Sequence, residues 1–364
     1  MTEVTGGSGS EPVPGTTCHR SPGRRDAGGV PGGDGSQPVA LSPSVRPMTT
    51  AAGPATPPVV AASARPADRH RGVRRLLTAG LLAALLATCV SSGLPTDRVV
   101  LLSWVLAVLA AQSVGRGWAA LVRLLVDWVP LMALLLLYDL SRGLADGLGM
   151  PVHVTEPAAA DRWLGDGVLP TLWLQQHWGA AWWAALASLV YASHFVVTPV
   201  VLAVLWLRDR ARWTGYVRLV LALSAAGLVT YVLYPAAPPW LAAKDGVVEH
   251  VDRISGSGWA VLGLPKAGAV LHSSQAQVNA VAAVPSLHTA FAVLTCLVLL
   301  PLARHVWQRV ALVTYAVLMP VVLVWSGEHY VVDTLLGALY AGAVWALVPR
   351  LRLPRRSRAA AHAS

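Results

Sequence analysis

The sequence predicts an all-α protein, a polytopic membrane bundle of about eight transmembrane helices, and three observations predict it. Of 364 residues, 55% are hydrophobic and 13% charged, with a mean hydropathy of +0.54, which leaves too little polar surface for a soluble globule. Apolar runs near the length that crosses a hydrocarbon core of about 30 Å recur at 75–93, 98–114, 121–140, 182–207, 214–234, 285–303, 308–325 and 330–349. Short arginine clusters fall on alternate connections between those runs, as the positive-inside bias requires.

Taken in order, residues 1–68 are rich in Gly, Pro, Ser, Thr and Ala without apolar periodicity, a composition that cannot offset the entropy of ordering. They are expected to form a disordered cytoplasmic tail. The first apolar run follows Arg69, Arg71, Arg74 and Arg75 and reads as a retained signal anchor, with Met48 an alternative start. Residues 69–120 then hold the N-terminal transmembrane helices, 121–350 a second membrane domain, and 351–364 a basic cytoplasmic tail. With the N-terminal tail inside, Arg116, Arg123, the Arg208–Arg212 cluster and the Arg304–Arg309 cluster all lie in the cytoplasm. Two long segments, 141–181 and 235–284, fall on the opposite side. Trp163, Trp173, Trp178, Trp240 and Trp259 within them, with Trp182 and Trp183 at the start of the next run, suit a headgroup layer, so these segments are expected to be partly re-entrant or interfacial.

The net charge of +10 is almost wholly arginine, Lys244 and Lys266 being the only lysines. Clusters beside apolar runs suit anionic headgroups and lack the continuous basic face that nucleic acid needs. Cys18, Cys89 and Cys296 are too scattered for a disulfide framework or a CxxC metal site. No internal repeat supports a duplicated transporter. The expected partners are the bilayer and a lipid phosphate or phospholipid substrate, with no nucleic acid; the oligomeric state is left open.

Chemistry is expected where polar residues meet the outer helix ends, since ionisable groups at membrane depth are costly and usually functional. In AVPSLHTAF, Pro285 suits a first helical turn, and Ser286, His288 and Thr289 crowd an N-terminus whose N–H groups and dipole suit phosphate. In GEHYVVD, His329 and Asp333 are four residues apart and so share a helix face. The carboxylate can hold one imidazole nitrogen and leave the other basic and aimed. Both histidines begin outward-to-inward helices, which puts them at one membrane level on the non-cytoplasmic side of the cell membrane. LYPAAPPW, at 233–240, reads as a rigid wall of the site. Arg142 in YDLSRGLAD is the nearest expected cation for phosphate.

At these residues the chain resembles the type 2 phosphatidic acid phosphatase superfamily, and more closely the branch that includes fungal inositol phosphorylceramide synthase, an inositolphosphotransferase. The PSLH of Pro285–His288 is similar to the superfamily's second motif and the HYVVD of His329–Asp333 to its third. YPAAPPW, the SHF of Ser193–Phe195 and the surroundings of YDLSR extend the likeness over about 135–345. The resemblance implies a helical catalytic core within 121–350 that works without metal or organic cofactor. It further implies that His329 forms a phosphohistidine, Asp333 orients it, and His288 serves as acid and then base.

The chain also departs from the phosphatase pattern. The first motif, a Lys and an Arg-Pro at fixed spacing, is absent from the membrane region, and Val322 and Leu323 stand where a Ser-Arg pair is expected. Both losses resemble the synthase-like branch and shift the expectation from lipid phosphate phosphatase towards phosphotransferase. Arg142, Ser286, His194 and Lys244 are the expected substrate-binding residues. The bland readings are a structural His–Asp contact, a buried polar His194, an Arg142 anchored to headgroups and a solvated Lys244. A metal or haem protein built on His194, His288 and His329, or a transporter, are the readings from other classes.

Overall fold

The computed structural model describes residues 70–92, 98–145, 148–266, 268–269 and 279–348; the two tails read at 1–68 and 351–364 lie outside them. The described chain is helical: α1 (Arg71–Ser92), α2 (Arg98–Ser113), α3 (Trp118–Ala145), α4 (Thr155–Leu164), α5 (Pro170–His177), α6 (Ala181–Arg208), α7 (Arg210–Leu233), α8 (Pro239–Lys244), α9 (Gly258–Val261), α10 (Leu287–Leu299), α11 (Val306–Trp325) and α12 (Val331–Leu347). Each of the eight apolar runs becomes a helix. Five of them, α1, α3, α6, α7 and α11, are long and apolar enough to cross a bilayer, whereas α2, α10 and α12 are shorter apolar helices. β structure among the described residues is confined to isolated bridges, His153 to Ala236 and Ala236 to Ala282.

The largest core lies where α2, α3, α6, α7, α10 and α12 meet, around Trp128, Tyr216, Leu202, Leu223 and Leu294. A second cluster joins α6, α10 and α11 through Trp183, Tyr191, Ala292, Met319, Val322, Leu323 and Trp325. At the end opposite the histidine motifs, Asp127 of α3 accepts from Trp206 Nε1 at 2.8 Å and Arg210 Nη2 at 2.7 Å. Arg210 stacks over both Trp206 and Trp213. One arginine of the expected cytoplasmic cluster thus ties α3 to the α6–α7 turn, besides contributing charge.

The long outer segments fold back onto the bundle. Ser188 of α6 donates to Ser255 O at 2.9 Å and accepts from Gly258 N–H at 3.1 Å, which seats α9 against α6. This corrects two of the expected interfacial tryptophans: Trp183 and Trp259 are 7% and 3% exposed and pack in the interior. Trp163, Trp173, Trp178 and Trp182 are exposed, as a headgroup belt requires. The proline-rich exit of α7 is threaded rather than free. Ala236, fully buried, donates to Val281 O and accepts from Ala283 N–H, so a larger side chain there would separate the strands of loop that carry Pro285.

Candidate active site

Ser286, not Pro285, opens α10. Its Oγ accepts the Thr289 N–H at 3.4 Å, the ordinary N-cap arrangement, and Pro285 precedes the cap by one residue instead of filling the first turn. The Ser286 N–H donates to the Asp333 carbonyl at 2.9 Å, locking the start of α10 to the first turn of α12. The contact is so close that a Cβ on Gly337 would sit 2.2 Å from Ser286 O. A glycine is therefore needed there by distance.

This locking brings the histidines together. The His288 ring lies 5.7 Å from the His329 ring and 4.0 Å from that of His194, with Tyr191 stacked on it at 5.2 Å. His288 Nε2 is buried without a hydrogen-bond partner among the described residues. The cluster is recessed: at 1.5 Å per residue, His194 lies roughly 20 Å below the start of α6 at Ala181. The outer ends of α10 and α12 stop at this depth, which accounts for their shortness.

His329 is 5% exposed and Asp333 fully buried. His329 Nδ1 faces Asp333 Oδ2 at 3.5 Å, and the same oxygen accepts the Tyr330 N–H at 2.9 Å. The carboxylate both begins the helix and fixes the side from which the imidazole is addressed, which directs Nε2 away from it. Before α12, Gly327 turns the chain at φ +76°, with Asp252 O 2.6 Å from where its Cβ would be.

A second carboxylate that sequence reasoning missed caps the same helix. Asp161 of α4, fully buried, accepts from Val331 N–H at 2.9 Å and Val332 N–H at 3.0 Å, one on each oxygen. Burial raises its pKa from 3.8 to about 6; the two N–H groups pull it down and Asp333 pushes it up. No spacing rule links positions 161 and 331.

The remaining expected residues are less central. Arg142 lies in the last turn of α3, half-buried, with its carbonyl accepting from Asn279 Nδ2 at 3.0 Å, and its charge reaches His288. Ser286 uses its hydroxyl to cap α10, and Lys244 is exposed at the end of α8. Val322 and Leu323 are fully buried among apolar side chains and offer phosphate nothing. Besides Asp161, the sequence reading passed over Glu328, printed beside His329 in the motif itself, and its partner Arg253. Those two residues join at 2.9 Å and 3.0 Å. A mostly apolar crevice of about 300 Å³, lined in part by Tyr234, Pro285, Val332, Leu336 and Tyr340, includes none of the three histidines.

Comparison with known proteins identifies the family. Residues 158–347, a stretch holding His194, His288, His329 and Asp333, match the PAP2 superfamily. A similar protein is the phosphoinositol dihydroceramide synthase of Bacteroides thetaiotaomicron, 27% identical over 195 residues, which are 50% of this chain and 61% of that protein. The chain thus spans about three fifths of that relative's length. No solved structure matches. The match covers more than half of the chain and includes both histidine motifs: the protein is a multi-helix membrane enzyme of the PAP2 superfamily.

Proposed function

We propose that the protein is an integral-membrane phosphotransferase acting on a lipid phosphate or phospholipid headgroup, inositolphosphotransferase-like, with its site on the non-cytoplasmic face of the cell membrane. The observation that carries this is the convergence of His288 and His329, ring centres 5.7 Å apart, with Asp333 behind His329 at 3.5 Å. His329 Nε2 attacks phosphorus while Nδ1–H points at Asp333, and His288 gives a proton to the departing oxygen. In the second half His288 takes the proton of an acceptor hydroxyl, whose oxygen attacks phosphorus as the N–P bond breaks. Arg142, within electrostatic reach of His288, contributes positive charge near the transferring group.

The name of the Bacteroides relative favours an alcohol acceptor. So does the replacement of the expected Ser-Arg pair by the packed Val322 and Leu323. Lipid mass spectrometry of membranes with wild-type protein and with His329→Ala tests the reading. The expected result is a phospholipid product that depends on His329; a free headgroup phosphate or dephosphorylated lipid instead would assign hydrolysis. Identical lipid profiles for the two proteins would remove the proposal.

A further inference from the structure

Most cations of the outer half are spoken for or exposed. Arg162 pairs with Glu249 at the surface, and Lys244 and Lys266 are exposed. Arg253 differs: its side chain is 22% exposed and packs its guanidinium 4.6 Å over the Trp240 ring. Nε donates to Glu328 Oε1 at 2.9 Å and Nη2 to Oε2 at 3.0 Å, while Ser255 Oγ–H donates to the same Oε1 at 2.6 Å. Glu328 immediately precedes His329, so the fork is fixed one residue from the proposed nucleophile.

The ion pair is not what holds this loop in place. Gln175 bonds both the N–H and the carbonyl of Asp252 and also Trp325 O, and Ile254 N–H donates to Ser326 O. The turn at Gly327 touches Asp252 O directly and accepts from Trp240 N–H. Backbone contacts therefore already set the 252–255 segment against the start of the His329 motif. A buried ion pair adds little net stability over an apolar pair of the same volume, so fastening is a weak reason for this one. Its charge is felt by both His288 and Tyr191, which line the histidine cluster.

Resting on the phosphoryl-transfer reading above, we infer that Arg253 is a phosphate-binding residue of the site, aimed by Glu328 and Ser255 and braced on Trp240. Of a guanidinium's five N–H donors, Glu328 takes Nε–H and one on Nη2. The Nη1 edge is left for phosphate oxygens, and a planar fork binds two of them where an ammonium acts as a point charge. Glu328 binds no substrate; it is a positioning residue that stops the arginine from swinging to solvent headgroups. This assigns to an outer loop the cation that the apolar Val322–Leu323 pair does not supply.

The test is binding of orthovanadate, a phosphate analogue, to full-length purified protein in detergent, read by protection against thermal unfolding. It compares wild type with Arg253→Lys, the double variant Arg253→Ala/Glu328→Ala and, as a control, Lys266→Ala. The double variant leaves no orphaned charge, so it keeps the test meaningful if single truncation unfolds the protein; a monodisperse elution profile checks the fold. Apparent affinity is expected to fall at least tenfold in the double variant and measurably in Arg253→Lys, with Lys266→Ala like wild type. Wild-type affinity in a folded double variant would overturn the role of Arg253 while leaving the histidine chemistry intact. Failure of wild type to bind vanadate, with no lipid product dependent on His329, would overturn the phosphoryl-transfer reading and this assignment with it.

Discussion

At the scale of single residues, the site rests on a buried carboxylate that makes two contacts with one oxygen. Asp333 Oδ2 accepts the Tyr330 N–H and faces His329 Nδ1, so the helix cap and the orientation of the imidazole are one feature. Asp333→Asn keeps the shape but places an amide where charge must stabilise an imidazolium. Turnover is expected to fall on the order of 10⁴-fold, as when the orienting group of a triad is replaced, with insertion and elution profile unchanged. Arg142→Lys retains charge near His288 but loses the planar fork; a rate loss of about tenfold, roughly 1.4 kcal/mol in the barrier, is expected in the same assay. Near-normal kinetics for Arg142→Ala would leave the phosphate to Arg253. The His329–Asp333 pair was legible because a spacing of four is a local rule. Arg253 and Glu328 were not, because their pairing depends on a loop folding back across 75 positions, which leaves no periodic trace.

At the scale of elements, the start of α12 is held from two directions. The α10 cap bonds Asp333 O from one side, and Asp161 of α4 takes the N–H groups of Val331 and Val332 from the other. An asparagine at 161 offers one acceptor oxygen where the carboxylate offers two, so one buried N–H loses its partner at a cost of about 1–3 kcal/mol. The charge also leaves a pH signature. Burial moves this carboxyl from 3.8 to about 6 in the fold, so between those values the folded protein holds a proton that the unfolded chain releases. The contribution to stability is complete below about pH 4 and is lost as pH rises through 6. Asp161→Asn cannot ionise; its unfolding midpoint should vary less between pH 4 and 7 than that of wild type. An unchanged slope would show that another group governs this range. The apolar runs made the long helices legible, whereas the short α4, α5, α8 and α9 of the outer segments were not. They lack long periodic stretches and are fixed by contacts such as Ser188 with Ser255 and Gly258. For the same reason Trp183 and Trp259 read as interfacial yet pack inside.

At the scale of the whole molecule, the proposed topology puts both histidine motifs and both long segments on one side, away from Arg304 and Arg309, from helix order and the positive-inside bias. A single cysteine at Trp163, 82% exposed, or at Val261, 53% exposed, should react with an impermeant thiol reagent outside intact cells. One at Trp307, 68% exposed in the first turn of α11, should not. The reverse pattern would turn the site to the cytoplasm and make a cytosolic headgroup donor available. The central claim, covalent phosphoryl transfer through His329, is tested most directly by trapping. Purified protein is mixed with lipids metabolically labelled with radioactive phosphate, quenched in alkali, and mapped by mass spectrometry. The account predicts an acid-labile, alkali-stable phosphate on His329 that is absent from His329→Ala and accumulates in His288→Ala only to the extent that the first step still proceeds. Label on His288 instead, or equal label in His329→Ala, would contradict it.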